Sequence, residues 1–598
     1  MSDVKAARPR WLQRSAPPLA LAAVAFHLWL IFSGLIPNLV SRPVHMALAL
    51  PWVFLYEPRG GRVARAAGAL LCVAGLVACA WIVLRREALD AQYGALQGAL
   101  QFVVAATLIV VVLDMARRAI KLALPSIAVI ALGYGLFGQH LPGEFGHPGI
   151  PVASLLGTLT IAEGGLWGPL TGVSVNVVAV FVMLGAFVGA GRGGTGFMAL
   201  ATWLAGGLRA GAAKVAVLAS ALFGSISGSA SANVASTGAI TLPAMRRLGY
   251  PPALAAAVEA VASSGGQIMP PLMGAGAFVM VELLGLRYAD IMLAALLPAL
   301  LFFWCTWIGV DRFAQALGLG AMRREDRATG AEVRATLPFF LVPFGILLGV
   351  LFLTAYTAQY AAAFAILAAA ALLFVGPGLR PEPEGGRRFM QGCIDAARQI
   401  AGIASIILCA GIVIGVLNLT GLGVKITSVI IGFSGGDLWT ALLLTALACL
   451  ILGMEVPTTA AYVICISVAG PALQELGLPA LHAHLFVFWY ALLSTITPPV
   501  CGTVFIAAGM IETPWVPVAL RAMRLGIGLY LVPLAFVANP ALIHPGSAPL
   551  GALAAFAKIA LGLWLISRAL IPADEGATLR LVALAAGLGA IFAFGAGA

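Results

Sequence analysis

A motif that recurs at a fixed offset constrains the fold of this chain more than any other feature. The segment 243–251, PAMRRLGYP, returns 228 residues later at 471–479 as PALQELGLP. The same offset carries Pro270-Pro271 onto Pro498-Pro499. Several matches at one offset are expected from a duplicated unit, so we predict two structurally related copies.

The composition places these copies in a lipid bilayer. Hydrophobic residues make up 61% of the chain and charged residues 10%, whereas a soluble domain has about half and about a quarter. Many apolar runs have the length of a membrane helix, which predicts an all-α polytopic membrane protein with about 14 to 17 membrane segments. The net charge of +11 comes largely from Arg in short loops, as the positive-inside rule expects, so a nucleic-acid partner is excluded. The sequence contains no GxxxxGK[ST] motif, so the chain has no nucleotide-binding P-loop of its own.

Apolar runs and charge clusters predict three parts. Residues 1–120 hold four apolar runs and should form a four-helix membrane domain with a cytoplasmic N-terminus. Residues 121–515 hold both copies, and residues 516–598 should add C-terminal membrane helices. Two Arg-rich segments between the copies, 311–335 and 379–398, are predicted to be cytoplasmic loops.

Each copy contains a stretch of small polar residues inside apolar sequence. The first is GSISGSASANVASTGAITLP at 224–243, and 450–471 is its counterpart. Ser and Asn compete for backbone hydrogen bonds and Gly favours unwinding, so we predict two re-entrant hairpins with irregular tips, at about 212–243 and 450–471. The alternative is an ordinary helix whose Ser and Thr side chains bond back to their own backbone.

An apolar run broken near its middle follows each hairpin. Both runs, 253–278 and 481–505, contain Pro-Pro, and the polar stretches 263–267 and 494–497 before the prolines should be unwound. A helix that starts in mid-membrane attracts anions and one that ends there attracts cations. Duplicated, broken membrane helices are typical of secondary transporters, and these dipoles suit an anionic substrate moved together with cations.

The segments GSISGSASANVASTG, AVEAVASSGGQIMPP, PTTAAY and LSTITPPV resemble the permease of tripartite ATP-independent periplasmic (TRAP) transporters. The resemblance is greatest to TAXI-type permeases, in which the small four-helix subunit is fused to the large twelve-helix one. It implies an elevator-type importer of the bacterial inner membrane with an inverted repeat. It also implies an organic acid substrate, a periplasmic TAXI-type substrate-binding protein as partner, and a Na⁺ or H⁺ gradient in place of an ATPase or a bound cofactor.

The resemblance also implies cation sites where each hairpin tip meets a helix break. The candidate ligands in this sequence are Ser229, Asn233, Gly265 and Gly266 in the first copy and Gly453, Thr458, Ser494 and Thr497 in the second. The candidate substrate-binding residues are Ser231, Asn233, Ser236, Gln267, Thr458, Thr459 and Thr497.

Two carboxylates are candidates for proton coupling. Glu455 precedes PTT where related permeases have Gly, and Glu259 lies within an apolar helix. The alternatives are exposure at the membrane rim for Glu455 and a structural pairing for Glu259. At the offset of 228, Asn233 is aligned with Ala461 and Glu259 with Val487, so the two cation sites should not be equivalent.

Two other functions fit parts of the sequence. A stand-alone carboxylate:cation symporter would need no binding protein. A polytopic membrane enzyme would need a nucleophile with a base, and the sequence offers no convincing Ser/His or paired-Asp set.

Overall fold

The computed structural model describes residues 10–57, 61–453, 456–498, 501–571 and 575–593. These residues fold into α-helices joined by turns and short 3₁₀ and π segments, as predicted for an all-α membrane protein. Among them, nine helices are long and apolar enough to span a bilayer, or ten with one bent pair. Seven further apolar helices have only 10 to 17 residues, the length expected of broken or re-entrant segments.

The helices follow one another along the chain as α1 (Arg10–Phe32), α2 (Asn38–Pro51), α3 (Arg62–Asp90), α4 (Gly98–Ile120), α5 (Ala123–Phe137), α6 (Val152–Thr160), α7 (Pro169–Val173), α8 (Ala179–Ala190), α9 (Gly193–Ala205), α10 (Gly211–Ser227), α11 (Ala230–Arg247), α12 (Pro252–Gly265), α13 (Ala275–Leu284), α14 (Tyr288–Leu317), α15 (Gly330–Thr336), α16 (Pro338–Leu353), α17 (Ala358–Leu372), α18 (Gly385–Thr420), α19 (Leu422–Ser434), α20 (Leu438–Gly453), α21 (Thr458–Glu475), α22 (Ala480–Leu493), α23 (Gly502–Met510), α24 (Trp515–Leu525), α25 (Ile527–Ala538), α26 (Pro549–Leu570) and α27 (Ala577–Phe592).

Two compact units divide the chain. Unit 1 comprises residues 1–191 and 356–428, and unit 2 comprises residues 192–355 and 429–598. In unit 1, the 36-residue α18 packs against α1, α2, α4, α5 and α8. At 1.5 Å per residue α18 is about 54 Å long, which exceeds the apolar thickness of a bilayer. The domain boundaries near residues 120 and 515 stay predictions.

The Arg-rich loops are shorter than the charge pattern indicated. Helix α18 already begins at Gly385, so most of the segment 379–398 is helical, because Arg is a good helix former and no Pro follows to stop the helix. In the segment 311–335, α14 continues to Leu317 and α15 starts at Gly330. The α15 start is fixed by a capping box, in which Thr329 and Glu332 satisfy each other's backbone N–H groups.

Unit 2 contains the two copies, which fold with the same helix order. The first copy is α10 to α14 and the second is α20 to α25. Helices α11 and α21 have the same bounds once the offset of 228 is applied, and so do α12 and α22. The duplicated sequence therefore specifies two structural repeats.

The copies interlock through their broken helices. Helix α23 of the second copy packs against α11 and α12 of the first, while α13 of the first copy packs against α21 and α22 of the second. In each copy, the helix that follows the break therefore packs against helices of the other copy.

The first predicted hairpin is present, with α10 packed against α11, but its irregular tip is much shorter than the polar composition of the segment 224–243 indicated. Helices α10 and α11 are interrupted only at Gly228 and Ser229, where Gly228 adopts the left-handed conformation (φ +58°). The polar residues of α11 stay helical. The hydroxyls of Thr237 and Thr241 have the carbonyls one turn back within hydrogen-bond distance, as the alternative interpretation expected, and they also reach Glu259. The first unwound stretch is also shorter than predicted, because α12 continues through Ser263 to Gly265.

Candidate functional site

Asn233 joins the three helices at the start of the first copy. Its side chain on α11 is fully buried, and its Nδ2 donates to the carbonyls of Ser220 on α10 (2.9 Å) and Ser263 on α12 (3.3 Å). The Oδ1 atom is buried and has no hydrogen-bond partner among the described residues. An unpartnered carbonyl oxygen of this kind is a ligand suited to a hard cation or to a hydrogen-bond donor.

Two glycines allow this arrangement. A Cβ on Gly266, the first residue after α12, would lie 2.5 Å from Gly224 Cα and 2.8 Å from Asn233 Nδ2. Only a residue without a side chain permits this approach of the break to α10. The hairpin tip meets the same break, because a Cβ on Gly228 would lie 2.7 Å from the carbonyl oxygen of Met273.

Glu259, on α12, is also fully buried. Its Oε1 accepts from the hydroxyls of Thr237 and Ser263, the latter at 3.2 Å, and its Oε2 accepts from the Thr241 hydroxyl. Ser220 Oγ lies 3.3 Å from Ser263 Oγ. The carboxyl therefore belongs to a network of hydroxyl groups. This network extends to Ser220 on α10, whose carbonyl accepts a hydrogen bond from Asn233.

The second copy repeats the contact between tip and break with different side chains. A Cβ on Gly453, at the end of α20, would lie 2.9 Å from the Cβ of Ser494, at the start of the second break. In that break, Thr497 Oγ1 lies 2.7 Å from the Tyr530 hydroxyl. Thr458 is buried and Thr459 is half-buried at the first turn of α21.

A polar joint connects the copies and was missed by sequence reasoning. Thr495 in the second break donates to Ser264 on α12 (2.9 Å), and the Thr503 hydroxyl donates to the Thr495 carbonyl (2.7 Å) and lies 3.3 Å from Ser264 Oγ. The polar stretch 494–497 pointed to Thr495, but the partner of Thr503 could not be read from sequence because α23 packs against the other copy.

Comparison with known proteins identifies the family. The family described as "Tripartite ATP-independent periplasmic transporter, DctM component" matches residues 107–550, which is more than half of the chain. The chain belongs to this family. It is therefore a TRAP permease and a multi-pass protein of the bacterial inner membrane.

Similar curated proteins include other TRAP permeases. The C4-dicarboxylate TRAP transporter large permease protein DctM of Pseudomonas aeruginosa is 28% identical over 346 residues, 56% of this chain and 77% of the relative. The isethionate TRAP transporter permease protein DctMQ of Oleidesulfovibrio alaskensis is 25% identical over 392 residues, 62% of this chain and 60% of the relative. An uncharacterised Sinorhizobium fredii protein, y4mL, is 24% identical over 339 residues, 56% of this chain and 78% of the relative.

Not all of the predicted site residues of this TRAP permease lie together. Asn233 and Gly266 are in contact, and Ser229 caps α11 by accepting from the Ala232 N–H (3.3 Å). Ser231 and Ser236 are exposed on other faces of α11. The remaining first-copy candidates, Gly265 and Gln267, flank Gly266: a Cβ on Gly265 would lie 2.0 Å from the Phe302 ring, and Gln267 is half-buried. Glu455 lies outside the described residues.

The two copies differ throughout the network around Glu259. Six polar residues of the first copy take part in it: Ser220, Asn233, Thr237, Thr241, Glu259 and Ser263. At the offset of 228 their counterparts are four alanines, a valine and a cysteine: Ala448, Ala461, Cys465, Ala469, Val487 and Ala491. The difference between the copies that was predicted at Asn233 and Glu259 thus extends to all six residues of this network.

Proposed function

We propose that this chain is the fused, TAXI-type permease of a TRAP transporter. It imports an organic acid delivered by a periplasmic substrate-binding protein and uses a Na⁺ or H⁺ gradient. The fusion is supported by α1, α2, α3 and the first nine residues of α4, all of which precede the family match at residue 107. Together, α1 to α4 have the number of helices expected of a small four-helix subunit. Residues 1–120 would be that small domain.

The observation that carries the proposal is the meeting of hairpin and break in each copy of unit 2. Gly224, Gly266 and Asn233 bring α10, the first break and α11 together, and Gly453 and Ser494 do the same in the second copy. Helices α12 and α22 end at these breaks, where their C-terminal dipoles favour a cation. Such broken helices at a repeat interface are where secondary transporters bind substrate and coupling ion.

The helix starts on the other side of each break favour an anion. Helices α13 and α23 begin directly after the breaks, with Gly274 before the first and Cys501 before the second. Free N–H groups at such starts bind carboxylates. The exposed hydroxyls of Ser231 and Ser236 and the half-buried Gln267 and Thr459 offer further hydrogen bonds to a substrate.

The relatives support a small organic anion as the cargo class. One is named for C4-dicarboxylates and another for isethionate, and both are small organic anions. We propose a carboxylate for this chain, with the binding protein selecting the compound.

Unit 2 is proposed as the moving part. All candidate site residues that the structure describes lie in unit 2, so the movement of this unit would carry substrate and cation together. An elevator mechanism of this kind needs no nucleotide, and the sequence has no P-loop to bind one.

The test is uptake in proteoliposomes with the periplasmic substrate-binding protein that we propose as the partner. The cargo is first identified as the organic acid that raises the melting temperature of that binding protein. Its uptake should require the binding protein and an imposed cation gradient but no ATP. Equal uptake without the binding protein would favour a stand-alone symporter instead. Chemical conversion of the compound without transport would favour an enzyme.

A further inference from the structure

Two threonine hydroxyl groups beside Glu259 can each donate their proton to either of two acceptors. The Thr237 hydroxyl has the Asn233 carbonyl within reach (2.8 Å) as well as Glu259 Oε1. The Thr241 hydroxyl has the Thr237 carbonyl (3.0 Å) as well as Glu259 Oε2. Each hydroxyl carries one proton, so each can donate to only one of its two acceptors.

This choice lets the site hold the carboxyl in either protonation state. If Glu259 is ionised, the hydroxyls of Thr237, Thr241 and Ser263 can all donate to it. If it is protonated, its own O–H donates to one threonine oxygen, and that threonine turns its proton to the carbonyl one helical turn back. Both states are fully hydrogen bonded, and the change needs only the rotation of a hydroxyl group.

No basic side chain neutralises Glu259 within the described ranges. The helices packed against α12 are α10, α11, α14, α23 and α24. Their titratable or charged residues are Lys214, Arg246, Arg247, Tyr288, Asp290, Cys305, Asp311, Arg312, Arg521 and Arg524. Lys214 pairs with Asp311, Arg312 with Glu575 and Asp290 with Arg287.

The remaining groups on these helices are also engaged elsewhere or exposed. Arg246, Arg247 and Arg524 are exposed, and Arg521 donates to the Pro517 carbonyl. Tyr288 bonds to the Pro271 carbonyl (2.5 Å). A fully buried carboxylate without a cationic partner is costly, and the uptake of a proton removes that cost.

The carboxyl is one hydroxyl away from Asn233. When Glu259 is protonated, the Thr237 hydroxyl can turn to the Asn233 backbone carbonyl. Ser263 contacts Glu259 through its side chain and accepts from Asn233 Nδ2 through its carbonyl. A proton at Glu259 therefore changes the hydrogen bonding of the residue that ties the first hairpin to the break.

We propose that Glu259 is the binding site of a coupling proton, and that this site of the first copy has no counterpart at the matching positions of the second copy. The second copy has Val487 at the matching position and Ala469 and Ala491 in place of Thr241 and Ser263. One transport cycle would then carry one proton through this site. The proposal rests on the proposed transport function, but proton binding itself is tested without any substrate.

The first experiment is infrared spectroscopy of the purified full chain, with the proton as the only probe. Because the other carboxyl groups also absorb in their acid form, the Glu259 band is read from the difference between wild type and Glu259→Gln. This difference should contain a carboxylic-acid C=O band that is present at acidic pH and disappears as the pH rises. Glu282→Gln, an exposed carboxylate on α13, is the matched control and should keep the band. A band that is absent at every pH, or that stays unchanged at every pH, would overturn the proposal.

A second variant guards against a folding defect in Glu259→Gln. Thr241→Val preserves side-chain shape and removes one of the two alternative hydroxyl donors, so the pH at which the band disappears should shift. An unshifted transition would show that the hydroxyl network does not serve the carboxyl and would overturn the two-state argument.

Transport then separates this inference from the proposed function. Glu259→Gln should lose accumulation driven by a proton gradient and keep exchange of labelled for unlabelled cargo. Wild-type proteoliposomes that show no uptake at all would refute the transport function, whereas wild-type uptake that Glu259→Gln leaves proton-coupled would refute the role of Glu259 alone.

Discussion

Replacing Gly266 by Ala should disrupt the junction of hairpin and break. The new Cβ would lie 2.5 Å from Gly224 Cα, a backbone atom, and 2.8 Å from Asn233 Nδ2. Both distances are far below van der Waals contact, so α10 or the break must move. Overpacking of this kind lowers stability by about 1 to 3 kcal/mol. Because the obstructing atom belongs to the backbone, we expect a loss near the upper end of this range.

The expected functional loss is larger than the loss of stability. A displaced Asn233 amide gives up its bonds to the Ser220 and Ser263 carbonyls, whose lengths are 2.9 and 3.3 Å. These bonds hold the three helices of the candidate site in register. Coupled uptake should therefore fall to background in Gly266→Ala even at temperatures where the protein stays folded.

The assay pairs unfolding in detergent, followed by tryptophan fluorescence, with uptake in proteoliposomes. Gly509→Ala on α23 is the matched control, because a Cβ there meets nothing within 4 Å. In a helix that change should stabilise by about 0.5 to 1 kcal/mol and leave uptake unchanged. A Gly266→Ala protein as stable and as active as the wild type would refute the close-packing argument.

Three further results are expected. Asn233→Ala should abolish coupled uptake while costing about 1 to 3 kcal/mol of stability; normal uptake kinetics would contradict this. Gly453→Ala should impair uptake, because its Cβ would lie 2.9 Å from Ser494 Cβ. Unchanged transport would show that the contact between Gly453 and Ser494 has no role in uptake. The hydrogen bond from Arg568 holds the pKa of Glu575 below its usual range, so this pair stabilises the fold above the unfolded-state pKa and stops doing so as pH falls. The stability difference between wild type and Glu575→Gln should therefore shrink on acidification, and a constant difference would argue against the ion pair.

The duplication and its helix bounds could be predicted from sequence because proline and glycine mark them. Both PALQELGLP and its counterpart contain the turn between two helices, and the Pro251 and Pro479 N-caps start α12 and α22 at matching positions. Breakers act locally, so their effect can be read without tertiary structure.

The extent of the irregular hairpin tip was overestimated because composition says little about which way side chains point. Asn233, Thr237 and Thr241 are four residues apart, so they share one face of α11. That spacing was the available signal that they bond to a neighbouring helix rather than unwind their own. The identity of the neighbour, Glu259 on α12, required the packing of the structure.

The contacts of the joint between the copies could not be predicted from sequence, although the polar stretch 494–497 pointed to Thr495 as one member. Ser264 and Thr503 are 239 residues apart in sequence, and they meet because α23 crosses to the first copy. No local pattern encodes such an exchange, since each residue alone is an ordinary helix hydroxyl.

The most direct test of cation-coupled import by unit 2 compares gradients in one preparation. Proteoliposomes with the permease and its binding protein receive an inward H⁺ gradient, an inward Na⁺ gradient or neither, and accumulation of the cargo is measured. We predict accumulation of the cargo above equilibrium with an H⁺ gradient, because Glu259 binds the coupling proton. Without a gradient we predict no such accumulation. Equal accumulation in all three conditions would contradict the account.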